Sequence, residues 1–431
     1  MNLFDITAIL LTLAAIFGYL NHRFLRLEPS VGLMVISLAS SLGVILLDRI
    51  WPSLGLGELV IGYLVGIDFN EALMHGMLGF LLFAGALHAD LEFFAQRKWN
   101  IGSLATVGLL LSTFLVALLT KGLFSLLDLQ ASWMACLVFG ALISPTDPIA
   151  VMGTLKTLNA PPSLEAKIAG ESLFNDGMAV VVFTGLVAML DVGSGNMGYA
   201  GQASGKGLGL EGFGLLFLRE TGGGCLLGLI SGYVAYRLMR SIDNHRVEVL
   251  ISIALVMGSY SLAWVWHLSG PLAVVIAGLL IGNQGRNFAM SAISVDYLEK
   301  FWELIDEILN AVLFLLIGLE AIAVAFNVTS FLTGLAVVGI VLAARLISVA
   351  VPITVLRLRK EFTPGAVRIL TWAGLRGGIS VALVLSLPPI PEKPLLISCT
   401  YVVVLFSILV QGLTIRKVLQ KFLYQKSLFT R

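Results

Sequence analysis

Charge is what this chain has least of. Only 12% of its 431 residues are Asp, Glu, Lys or Arg, and 58% are hydrophobic, whereas roughly a quarter of a soluble domain is charged. So few charges cannot cover a water-facing surface, which excludes a soluble globular protein and leaves a chain that crosses a bilayer many times. The net charge of +1, with no basic run interleaved with aromatics, excludes a nucleic-acid partner. Cysteine is scarce too: Cys136, Cys225 and Cys399 all fall in apolar stretches, which excludes a disulfide framework and makes them small buried hydrophobes. The five histidines, His22, His75, His88, His245 and His267, lack zinc-ligand spacing, and no cofactor is expected. A basic n-region is also missing, so the apolar N-terminus is expected to be a first spanning helix and not a cleaved signal.

At ~20 apolar residues per crossing, thirteen segments start near Phe4, Val31, Glu71, Trp99, Ser132, Ser163, Phe213, Val247, Gly270, Tyr297, Phe331, Ala366 and Leu395. Gly55 to Asn70 is too short for a crossing of its own and is expected to lead into the third. Basic residues cluster after odd-numbered segments (Arg23 and Arg26; Arg97 and Lys98; Lys156 and Lys167; Arg237, Arg240 and Arg246; Arg286 and Lys300; Arg357 to Arg368; the tail from Arg416) and are sparse after even ones (Arg49, Lys121, Lys206, Arg219, Lys393). That asymmetry puts the N-terminus outside and the C-terminus in the cytoplasm. The Gly-rich Asp191 to Gly212 then lies outside; its Gly205-Lys206-Gly207 lacks the spacing of a phosphate loop and reads as a flexible linker.

Against this hydrocarbon background stands Gly170-Glu171-Ser172-Leu173-Phe174-Asn175-Asp176-Gly177 in the sixth segment. Each charge at membrane depth costs ~2.5–3.5 kcal/mol on insertion scales, and a cost of that size implies a use. On a helix, Glu171 with Asn175 and Ser172 with Asp176 are i,i+4 pairs, so all four share roughly one face.

Two segments look broken. The fifth carries Ser144-Pro145-Thr146-Asp147-Pro148 near its middle, where two prolines should unwind the helix. Unwound backbone at that depth survives only where it lines a cavity or is buried in protein. The twelfth carries Trp372-Ala373-Gly374-Leu375-Arg376-Gly377-Gly378, glycines dense enough to interrupt a helix. Breaks at five and twelve suit two inverted six-helix repeats, residues 1–190 and 247–419, with a connecting helix at 213–240 and a short cytoplasmic tail at 420–431, and they point to a transport site. Arg345, alone in the eleventh segment, needs a carboxylate from elsewhere, because a buried pair that loses one partner costs ~3–5 kcal/mol; Glu171 is the candidate. Glu303, Asp306 and Glu307, at i,i+3,i+4 in the tenth segment, are either a solvated helix entrance or an electrostatic funnel for cations.

Carboxylate, hydroxyl and backbone carbonyl oxygens suit hard cations, and Asp147, Ser172 and Asp176 supply that set. A proton and a metal ion then compete for the same oxygens, and the competition is the coupling.

Taken together, Thr146-Asp147-Pro148, the Gly170 to Gly177 stretch and Gly374-Leu375-Arg376-Gly377-Gly378, with Leu81 to Leu87 in the third segment, closely resemble the NhaP/NHE branch of the monovalent cation:proton antiporters, over nearly the whole chain. The resemblance implies an all-α polytopic membrane protein with an NhaA-like antiporter fold that exchanges Na+, or Li+, for H+. It implies that Asp176 is the principal proton and cation carboxylate. Thr146, Asp147 and Ser172 would line the ion site, and Asn175 would mark the electroneutral, one-for-one branch. Glu171 would be held by Arg345, and Arg376 would organise the break in the twelfth helix. It further implies a homodimer in the cell membrane whose core domains move like an elevator, and the lack of a long regulatory tail suggests a small prokaryotic form. A potassium-selective exchanger or a channel with the same site remains the alternative; an intramembrane aspartyl protease is disfavoured, since the unwound Thr146-Asp147-Pro148 backbone and the buried arginines would have no task there.

Overall fold

A computed structural model of the chain describes residues 3–51, 55, 62, 72–89, 102–158, 160, 162–194, 210–321, 328–357 and 365–428. Most of the Gly55 to Asn70 stretch, residues 195–209 of the Gly-rich connection, and Arg97 with Lys98 lie outside them. The described residues are helical almost throughout: α1 (Leu3–Leu20), α2 (Pro29–Ile50), α3 (Leu78–Leu87), α4 (Leu109–Leu126), α5 (Trp133–Ile143), α6 (Ile149–Thr157), α7 (Pro162–Ser194), α8 (Leu210–Arg240), α9 (His245–Val265), α10 (Gly270–Leu280), α11 (Ala292–Glu320), α12 (Val328–Arg357), α13 (Ala366–Trp372), α14 (Gly378–Leu385), α15 (Lys393–Phe406) and α16 (Leu413–Leu428). Among the described residues, seven helices are long and apolar enough to cross a membrane. The chain is an all-helical polytopic membrane protein.

Local chemistry sets where these helices begin. Glu28, Ser132, Asn244, Ser269 and Ser291 each accept a bond from a first-turn N–H with their side chains, satisfying a donor the helix leaves orphaned. With hydrocarbon on both sides, packing depends on close approach. Gly224, Gly228 and Gly232, four apart on α8, lie against Ser269, Ala273 and Ala277 at the start and along the face of α10, where an added Cβ would run into the facing chain.

The breaks in the fifth and twelfth segments are both present. Helix stops at Ile143 and resumes at Ile149, and stops again at Trp372 and resumes at Gly378. Two apolar cores meet at those breaks. Residues of α3, α4, α5, α8, α9 and α10 build one core, while α1, α2, α6 and α13 feed the other. Helix α7 passes from one to the other, with Ile168 in the second and Leu173 onward in the first. The polar stretch from Glu171 to Asp176 therefore sits at the seam, where each core is already interrupted by a helix end.

Candidate functional site

The two broken segments cross and touch. Asp147 N–H donates to the Leu375 carbonyl at 2.8 Å, a single antiparallel backbone bridge between the breaks. Four half-helix ends converge there: the C-ends of α5 and α13, which carry partial negative charge, and the N-ends of α6 and α14, which carry partial positive charge. The side chains answer these charges. Arg376 donates through Nη1 to the carbonyls of Ser144 and Pro145, the latter at 2.8 Å, just past the C-end of α5. Arg345 donates through Nη2 to the Leu370 carbonyl in the last turn of α13, at 3.2 Å. Asp147 serves both N-ends, accepting from Ile149 N–H at 2.9 Å and lying against Gly377 at the start of α14. A Cβ on Gly377 would fall onto that carboxylate, coming within 2.7 Å of its Cβ and 2.8 Å of its Cγ, so this approach requires glycine.

Helix α7 supplies the rest. Glu171, Ser172 and Asn175 are almost wholly buried, and Asp176 is 8% exposed. Arg345 Nη1 meets Glu171 Oε1 at 2.5 Å, with both side chains buried. Ser172 Oγ donates to the Thr146 carbonyl, tying α7 to the first break. Thr146, Asp147, Ser172 and Glu171, with Pro148, Ile168, Arg345, Leu370 and Ala373, surround one small cavity. Asp176 does not line that cavity; one turn further along α7, it is close enough to Asp147 and Arg376 for their charges to act on it.

Several positioning residues carried no sequence motif. Ser407 accepts from Arg376 N–H at 2.7 Å and donates to Gln411 Oε1 at 2.8 Å, while Gln411 Nε2 holds the Trp372 carbonyl at 3.1 Å. Their i,i+4 spacing in an apolar segment was the available signal. Ser144 Oγ reaches Ser112 Oγ at 2.9 Å on α4, which anchors the end of α5. In the acidic run on α11, Glu303 and Glu307 are exposed, as a solvated helix entrance would have them, and Asp306 is half-buried; its charge and that of Glu28 act on Asp147.

Interrupted helices crossing around buried, charged groups in a polytopic helical protein define a secondary-transporter architecture. The comparisons with known proteins agree. Residues 10–421 match the family model described as "Sodium/hydrogen exchanger, transmembrane", and the chain belongs to the sodium/hydrogen exchanger family, a family of transporters and not of enzymes. It is 46% identical over 417 residues to the Na+/H+ antiporter NhaP of Pseudomonas aeruginosa, covering 95% of each chain. It is 37% identical over 331 residues to the Na+/H+ antiporter NhaH of Halobacillus aidingensis, covering 76% of this chain and 77% of that one. Its fold matches the sodium proton antiporter MjNhaP1 of Methanocaldococcus jannaschii with a TM-score of 0.73 at 17% identity, over 98% of this chain and all of that one.

Proposed function

We propose that this protein exchanges Na+, and Li+ where present, for H+ across the cell membrane, one for one and without net charge movement, with Asp176 as the carboxylate that proton and cation occupy in turn. One observation carries the reading: the charge count at the crossing. Glu171 and Arg345 cancel, and Arg376 cancels one of the two aspartates, which leaves a single negative charge when Asp147 and Asp176 are both ionised. One proton or one alkali ion brings the group to zero, and only a neutral group can cross a low-dielectric barrier cheaply. An empty site stays charged and is held back. Exchange needs no more than that.

Thr146, Asp147 and Ser172 provide the remaining oxygens around the ion, Asn175 keeps a second carboxylate out of the neighbouring position, and Arg376 and Arg345 hold the half-helix ends. Thirteen spans in two inverted repeats fit the paired breaks, each five residues wide, at 144–148 and 373–377. The basic-residue asymmetry supports an outer N-terminus and a cytoplasmic C-terminus. The exposed apolar face of α8, with Leu226, Leu229, Ile230 and Tyr233, suits lipid or the second copy of a homodimer.

Proteoliposomes with an internal pH indicator test this. A sodium gradient should move protons at a rate indifferent to membrane potential, and Asp176→Asn should stop it. Potential-driven exchange, or cation flux without counter-transport, would overturn the reading.

A further inference from the structure

Beyond the residues considered so far, Asn310 on α11 is 4% exposed, and its side-chain oxygen accepts no hydrogen bond from any described residue. A buried amide oxygen left unpaired forfeits its hydration with nothing in return, and a helix interior offers cheaper residues. Its place on α11 gives the cost a use. Asp306, one turn before it, is near enough to Asp147 for their charges to interact. Leu313, one turn after it, packs against Gly378 at the start of α14, where an added Cβ would stand 2.5 Å from the leucine Cδ1. Positions 306, 310 and 313 form one stripe at helical spacing, so Asn310 lies on the face of α11 turned to the crossing, between a carboxylate that acts on Asp147 and a leucine seated on the second break. Glu28 adds a carboxylate at the same end: its Oε1 lies by Gly153 on α6, 3.7 Å from where a Cβ would be, and its charge also acts on Asp147.

We propose that Asn310 contributes its amide oxygen as a ligand to the alkali cation passing between the Glu28 and Asp306 end of the bundle and Asp147, and so helps decide which alkali ion is accepted. The acidic side chains attract any cation. A neutral oxygen held at a fixed depth discriminates among them, because it replaces a water of the hydration shell only for an ion that fits. This inference rests on the cation-exchange reading above.

The test compares wild type with Asn310→Leu, which has similar volume and no oxygen, and Asn310→Asp, which keeps an oxygen in place. Apparent KM and maximal rate are measured for Na+, Li+ and K+ in proteoliposomes, alongside Asp176→Asn and the melting temperature of each purified protein. Loss of one ligand should raise the Asn310→Leu KM about tenfold, by a different factor for each ion, with the maximal rate within about twofold, while Asn310→Asp keeps the wild-type KM or lowers it. A role in packing alone gives the reverse order, since a second buried carboxylate is worse than leucine. Unchanged KM values in Asn310→Leu, or Asn310→Asp melting lowest with the weakest KM, would overturn the proposal. If Asn310→Leu fails to fold, the KM of Asn310→Asp decides alone. Wild-type exchange blocked by Asp176→Asn but insensitive to Asn310 removes this inference and leaves the exchanger reading standing; no exchange by wild type with any of the three ions removes both.

Discussion

The Glu171 and Arg345 pair offers the sharpest test of how the crossing is held. With side chains 2% and 6% exposed, neither group can be rescued by water when its partner is removed, so Glu171→Ala and Arg345→Ala should each cost ~3–5 kcal/mol. Arg345→Ala should be the worse by about 1 kcal/mol, because it also abandons the Leu370 carbonyl at the end of α13. Replacing both with leucine removes two desolvated charges at once and leaves only that carbonyl uncapped, a net loss of roughly 1–2 kcal/mol. Glu171→Leu and Arg345→Leu strand the same charges as the alanine variants, so the cycle they form with the double leucine variant should show a coupling of about 5 kcal/mol or more, above the usual range for residues in contact. Thermal denaturation of the purified single and double variants, followed as loss of the monodisperse peak, reads the order directly. The double variant melting above both singles is the expected result, and it should retain exchange because Asp176 is intact. Additive losses, with the double variant melting lowest, would refute the claim that the pair is a neutralising strut.

Other predictions follow from the same geometry. Asp176→Asn should abolish sodium-driven proton movement while leaving the melting temperature within a few degrees of wild type, checked in one preparation by dequenching and by melting. Gly377→Ala forces a methyl onto the Asp147 carboxylate; overpacking of this kind costs ~1–3 kcal/mol, and it should weaken apparent cation affinity far more than Gly339→Ala, where no described atom lies within 4 Å of the added carbon. Arg376→Gln should lower the maximal rate more than Arg376→Lys, since the Ser144 and Pro145 carbonyls keep a cation only in the latter, as initial rates would report. Burial raises the Glu28 carboxyl above its usual range. Its ionised form is therefore disfavoured in the folded state, and the stability of wild type relative to Glu28→Gln should fall as pH rises through the carboxylate range, levelling off above the folded value. Melting curves from about pH 4 to 8 check the slope, and a difference growing in the opposite direction would contradict the burial argument.

The sequence was most legible where it broke its own rules. Two prolines around Asp147, glycines around Arg376 and four polar residues on one face of α7 are expensive inside a membrane, and expense is visible without coordinates. Arg345 could be matched to Glu171 for the same reason, since a lone buried guanidinium demands a carboxylate. Cheaper features stayed hidden. Ser407, Gln411 and Asn310 are neutral, and a neutral polar residue in an apolar helix usually bonds its own backbone, as Thr120 and Ser259 do here; only the fold reveals that Ser407 and Gln411 reach across and that the Asn310 oxygen is left unpaired among the described residues. Glu303, Asp306 and Glu307 could not be told apart in the sequence, because helical spacing identifies a face but not what covers it; in the fold Glu303 and Glu307 are exposed and Asp306 is half-buried. The contact of Gly377 with Asp147 joins residues 230 positions apart, beyond the reach of any local pattern.

On the charge count proposed above, the arginine gripping the Ser144 and Pro145 carbonyls would also sort visitors by valence. Its guanidinium stands where bare carbonyls would accept calcium or magnesium, so a divalent guest would overshoot neutrality and leave the crossing with surplus positive charge and no cheap way over. Rejection of such ions would then follow from sign alone, before ionic radius enters.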